Sequence, residues 1–257
     1  MEATAQDAPR QEMGLLSRIF GAFFSPSKTF ESIARKPGWD WIVPIVLLMA
    51  AILFSTVVTT PRVDEEGFVQ TFMKKMDANP NIPESKKAEI EQSVRGQFNF
   101  SKSFLGRLVT ACVFAALVFL VPLFYHWTAM AMGAKTGYLR VLAGYSYVQM
   151  VQVVWWLLNG LIAMTKTTID VMDLQLFRLV KSNPAAFMDP QTTNRSLLLL
   201  LSSIDLFEIW ALVLGSIALS KTTRLSPKGA AMTVVSFWVL WVFLKVALGT
   251  VQAMFGA

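Results

Sequence analysis

The sequence predicts an all-α, polytopic membrane protein with five spanning helices, and three observations carry that reading. The 257-residue chain is 54% hydrophobic and only 16% charged. Its apolar residues gather into five long runs, each close to the roughly 20 residues a helix needs to cross hydrocarbon at about 1.5 Å per residue. The two short loops after spans two and four, in turn, carry Lys and Arg and no acid, as loops on one side of spanning chains do. This composition belongs to integral membrane proteins rather than to soluble folds.

Residues 1–38 read as a cytoplasmic amphipathic unit and 39–257 as the five-span domain. MEATAQDAPRQEM is polar and lacks an apolar h-region, so no secretory signal is expected and span one acts as an uncleaved anchor. In EMGLLSRIFGAFF, Leu15 and Leu16, Ile19 and Phe20, and Phe23 and Phe24 recur at spacings of four, giving one apolar helical face with Arg18 among the polar positions. Ser25 is placed to cap a second short helix that begins at Pro26 and stops before Pro37 and Gly38. Two readings follow: an anchor lying in the membrane interface, or a face docked on the cytoplasmic side of the bundle.

The spans fall at about 40–60, 106–131, 141–164, 196–220 and 230–253. Proline at 44 and 122 is compatible with helices there, since neighbouring helices satisfy the freed backbone groups. Between spans one and two, residues 61–105 hold seven basic and seven acidic side chains. There DEEGFVQTFMKKM and PESKKAEIEQSVRGQF predict a helical hairpin on the outer face. Residues 165–195 predict one amphipathic helix, about 168–182, and then the SNPAAFMDP turn. The simplest role for both loops is to cap the bundle without binding anything.

The loops after spans two and four carry Lys135 and Arg140, and Lys221, Arg224 and Lys228, with no acid between them. The segment before span one adds Arg10, Arg18, Lys28, Arg35 and Lys36. All three regions share a side when the N-terminus is cytoplasmic and the C-terminus outside. The net charge of +6 is therefore topological, with no nucleic-acid partner expected.

Enzyme chemistry finds little purchase. Cys112 is the one cysteine and His126 the one histidine, so neither a disulfide framework nor a His-pair metal site is possible. No Gly-rich phosphate loop or dinucleotide fingerprint occurs. A Ser146–His126 dyad is conceivable on adjacent spans, but no oxyanion device accompanies it, and His126 between Tyr125 and Trp127 reads as an interfacial aromatic-belt residue. No catalytic, cofactor-binding or metal-binding residue is expected. Gly133, Gly137, Gly144 and Gly160 read as turn or close-approach positions.

Two stretches resemble the Ypt-interacting-protein (Yip) family of five-span membrane proteins, in its bacterial branch. One is FFSPSKTFESIARKPGWDWIVPIVLLMA, with its Ser-Pro pair, short helix, Pro-Gly break and first span. The other is VLAGYSYVQMV in span three, with SIDLFEIWALVLGSIAL similar to the penultimate span. Gln149 stands where many relatives have proline, so the resemblance gives no reason for a kink in span three. It implies a bacterial cytoplasmic (inner) membrane, and no functional residue transfers with it. Eukaryotic members interact with Rab GTPases in vesicle traffic, which bacteria lack.

The remaining puzzle is SSIDLFEIWALVL, where Asp205 and Glu208 interrupt an apolar run. An ionised group at mid-bilayer costs on the order of 3 kcal/mol on insertion scales, so such groups turn inward and pair. Lys245 in span five is the candidate partner. Counted from the short basic loop, Asp205 and Lys245 lie at matching depth, about 22 Å in at 1.5 Å per residue. The expectation is an Asp205–Lys245 pair, with Glu208 three residues away on the same face, protonated or hydrogen-bonded to Gln149, Gln152 or Asn159 of span three. The cluster reads either as a polar set that fixes helix register or as a proton or ion relay. The corresponding functions are a membrane-organising scaffold or accessory subunit of a transport or envelope complex, or a small coupled transporter or channel. The expected partners are membrane lipid and either another membrane protein or a second copy of the chain.

Overall fold

The computed structural model of the protein describes residues 13–77, 83–190 and 192–254; Arg10 and Pro80 lie outside them. Among the described residues there is no β-strand, and five helices are long and apolar enough to cross a membrane.

Span one opens with a single turn at Trp39–Trp41 and continues as helix α3, Ile42–Thr59. Pro44 falls in the first turn of α3, where its missing N–H has no intrahelical partner to lose. Span two is α6, Phe104–Ala131, begun by the Ser103 hydroxyl accepting from the Gly106 N–H at 3.0 Å. Span three is two helices in tandem, α7 (Tyr138–Val148) and α8 (Met150–Met164), interrupted at Gln149 without a proline. The Gln149 N–H is shared between the carbonyls of Tyr145 and Ser146, a local tightening that is common where one α-helix gives way to another. Span five is α12, Pro227–Met254.

Span four departs from the sequence reading. In place of one helix over 196–220, a short helix α10 (Arg195–Leu201) stops at Ser202, and α11 (Leu206–Thr223) restarts after Asp205. The reason is in SSIDLFE itself: two serines whose hydroxyls compete for backbone carbonyls end one helix, and an aspartate able to cap begins the next.

The predicted helical hairpin forms as α4 (Glu65–Asp77) and α5 (Glu84–Lys102). Arg95 reaches from α5 to Glu66 of α4 at 2.5 Å, Lys102 pairs with Glu65, and Phe68, stacked on Phe72, meets Phe98 of α5 edge to face. In the 165–195 loop the predicted helix shrinks to α9, Val171–Gln175. The chain turns away at Phe177, whose φ of 52° is a left-handed conformation no helix continues through. The segment is anchored beside the end of span one, where the Ile169 N–H donates to Arg62 O at 2.7 Å and the Asp64 N–H to Ile169 O at 2.9 Å.

Helices α1 (Leu15–Phe24) and α2 (Pro26–Arg35) form an antiparallel pair. Gly21 permits their close approach, because a Cβ there would sit 2.4 Å from the Thr29 hydroxyl. Ser25 stands at the N-cap of α2 with Pro26 first, as the spacing predicts, but its side chain makes no capping bond. Ala22, Phe30 and Ile33 are completely buried among Val148, Val151, Leu214 and Ala218 of spans three and four. The pair is thus docked on the bundle, while Leu16, Phe20 and Phe24 on the far side of α1 remain exposed. Of the two readings of the segment, docking on the bundle holds for the inner side of α1.

Candidate functional site

The polar cluster assembles where span four is broken. Asp205 occupies the N-cap of α11, and its Oδ1 accepts from the Phe207 N–H at 2.8 Å. Its other oxygen takes the Ser182 hydroxyl, and the Leu206 N–H donates to Ser182 O at 3.1 Å. The 165–195 loop therefore closes the exposed start of α11 with both its backbone and a side chain.

Lys245 does not pair with Asp205. Its Nζ donates instead to Ser202 Oγ and Ser203 Oγ, each at 3.0 Å, and lies 5.7 Å from the centroid of the Phe177 ring. Those hydroxyls pass the interaction on by donating to Leu199 O at 2.9 Å. The ammonium thus sits at the C-terminal end of α10, where unpaired carbonyls and the helix dipole favour a cation. The expected pairing fails because depth alone was matched. The break turns Asp205 toward the N–H groups of its own new helix and presents the two serines to span five.

Glu208 is met from span three: Gln152 Nε2 donates to Glu208 Oε1 at 3.3 Å. Gln152 lies fourteen residues from Tyr138 and twelve from Met164, so this contact is near the middle of span three, about 18 Å from its Met164 end at 1.5 Å per residue. Asp205, Glu208 and Lys245 interact electrostatically and carry one formal negative charge in excess. Asn159 belongs elsewhere, its Oδ1 accepting from the Ser55 hydroxyl of span one at 2.9 Å. Gly160 next to it lets α8 meet α3, since a Cβ would come within 2.5 Å of the Phe54 ring and 3.2 Å of the Ser55 Cα. Gln149 marks the helix interruption and makes no side-chain bond to Glu208.

A second polar centre escapes sequence reasoning. Arg18, counted among the polar positions of α1, is 5% exposed and binds Asp40 Oδ2 at 2.7 Å, Ser32 Oγ at 3.5 Å and Lys36 O at 3.4 Å. Tyr147 of span three donates its hydroxyl to the same Asp40 oxygen at 2.8 Å. One carboxylate at the head of span one thereby joins the N-terminal helix to span three. The sequence does carry a signal for it: an acid in Trp-Asp-Trp at the start of an apolar run is a group that needs a partner.

The conceivable dyad does not form. The Ser146 hydroxyl is wholly buried and donates to Ala143 O at 2.8 Å, while the His126 ring stands edge-on to Tyr138 at 6.1 Å. No group of three or more metal-binding side chains occurs among the described residues.

Five apolar spans cross-linked by a few polar side chains define a polytopic α-helical integral membrane protein. Within that class the chain belongs to the Yip family: the Yip1 domain matches residues 20–248. It is similar to the membrane protein YknW of Bacillus subtilis (strain 168), at 25% identity over 240 residues, 93% of each chain. No solved structure matches it. The two stretches that carried the resemblance are the ones that Asp40 and Tyr147 hold together.

Proposed function

We propose that the chain is a non-enzymatic Yip-type protein of the bacterial cytoplasmic membrane, with the N-terminus cytoplasmic and the C-terminus outside. It works through its surfaces, organising membrane or serving as an accessory subunit of a transport or envelope complex, together with a membrane-protein partner or a second copy. One observation carries this reading: Asp205, Glu208, Lys245 and Asn159 are each engaged in a bond that joins one element to another. Groups used in this way fix helix register, since polar contacts between spans hold a bundle in one arrangement.

The second reading, a small proton- or ion-coupled transporter or channel, is favoured by the interruption of span four beside Glu208. Discontinuous spans with charged groups at the break are where transporters bind their ions. Proteoliposomes carrying the full chain separate the two. The scaffold reading expects Glu208→Gln to fold in near-normal yield, with its amide still able to meet Gln152, and to leave the membrane's resistance to protons and cations unchanged. If the wild-type protein dissipates an imposed gradient and Glu208→Gln stops it, the transporter reading replaces it.

A further inference from the structure

The outward side of α1 is an apolar strip on a basic end of the bundle. Leu16, Phe20 and Phe24, spaced four apart, are 68%, 61% and 84% exposed. The Arg18–Asp40 bond at the head of span one sets their level. Beside that bond Trp39 is exposed, and the strip continues into the exposed Ile42 and Val46 of span one, a surface that faces lipid in a spanning helix. Tryptophan at the start of a span marks the boundary between hydrocarbon and headgroups.

Charge at the same end is one-sided. Lys28 on α2, Lys135 between α6 and α7, Lys221 in the last turn of α11, Arg224 just after it and Lys228 in the first turn of α12 are all exposed. The two inter-span loops are drawn together where the Thr136 hydroxyl donates to Thr222 O at 2.8 Å. Among the described residues, the two acids of these segments are each taken by an arginine, Glu31 by Arg35 and Asp40 by Arg18.

We propose that this end is a binding surface for anionic glycerophospholipid, with acyl chains against Leu16, Phe20 and Phe24 and phosphates on the lysines and arginine exposed at the same end. An apolar strip at the end of the bundle that carries these exposed cations fits an anionic leaflet on both counts, because burial of the strip and attraction to the surface charge act together. The proposal stands on other residues than the scaffold reading, so either can fail alone.

The test uses the full chain with Cys112→Ser and Phe20→Cys, nitroxide-labelled, in nanodiscs of phosphatidylcholine and phosphatidylglycerol. Collisions with oxygen are expected to exceed those with a water-soluble nickel complex. A label more accessible to nickel, or immobilised and shielded from both by a second copy or another protein, overturns the proposal. Spin-labelled phosphatidylglycerol is expected to associate with the protein in preference to phosphatidylcholine. Lys28→Gln, Lys221→Gln and Lys228→Gln together should reduce that preference by up to about fivefold per charge. On the unaltered protein, high salt should collapse it, a measurement independent of whether the variant folds. A preference that neither change moves, or no preference at all, overturns the headgroup assignment.

Discussion

Lys245→Met tests how span five is held to the broken span four. The ammonium makes two hydrogen bonds, to Ser202 and Ser203. Polar contacts between helices in membranes average about 0.6 kcal/mol and reach about 1.7, so two of them are worth about 1 to 3 kcal/mol. The serine hydroxyls keep their bonds to Leu199 O, so the substitution orphans no hydroxyl and the hydrogen-bond share of the loss should stay within that bracket. The assay is reversible unfolding in mixed micelles, read as a double-mutant cycle. Lys245→Met should show a coupling of about 1 to 3 kcal/mol with the paired change Ser202→Ala and Ser203→Ala. Its coupling with Asp205→Asn should be smaller, because asparagine caps a helix about as well as aspartate and the carboxylate does not bind the ammonium directly. A larger coupling to Asp205 than to the serines would refute the reasoning and restore a direct ion pair.

Two further predictions concern the ends of the bundle. Arg18→Leu removes the cation from a largely buried pair and should cost about 3 to 5 kcal/mol of docking for α1 and α2, seen as faster amide exchange over residues 15–35 with spans two and five unaffected; Tyr147→Phe should cost about 1 kcal/mol. On the α4–α5 hairpin, hydrogen bonds from Arg95 hold the Glu66 carboxyl below its ordinary value. A carboxyl depressed in the folded state stabilises above its unfolded pKa and loses that contribution as pH falls through the folded one. Protection factors over α4 and α5, with exchange corrected for the intrinsic pH dependence of the amide, should therefore fall on acidification below the ordinary carboxylate range, while Glu66→Gln should flatten this dependence and leave the spans unchanged.

Much of this architecture was legible in the residues. Apolar runs located all five spans, and the helical patterns of 61–105 the hairpin between the first two, because the bilayer imposes a length and a polarity on each spanning segment. The contact between Glu208 and Gln152 was among the expected partners, since few amides were available to a carboxylate in span three. The short α9 was not legible: the apolar periodicity of 168–182 is real, but Leu176 and Leu179 serve it by packing irregular chain against other elements, with Ala185 and Leu198 around one and Ala163 around the other. Arg18 was misplaced because a helical wheel ranks residues by polarity and cannot see an acid twenty-two positions away.

Local composition by itself determined that the chain is a five-span helical membrane protein with a basic and a mixed-charge side, and that Asp205, Glu208 and Lys245 need partners. Which partners they take was decided only in three dimensions. Equal depth along two helices leaves the rotation of each helix about its axis free, and whether a helix runs through or breaks depends on what waits to cap the broken ends. Ser182 and Lys245 supply those caps from segments distant in sequence, so Asp205 turned from a counter-ion into the start of a helix.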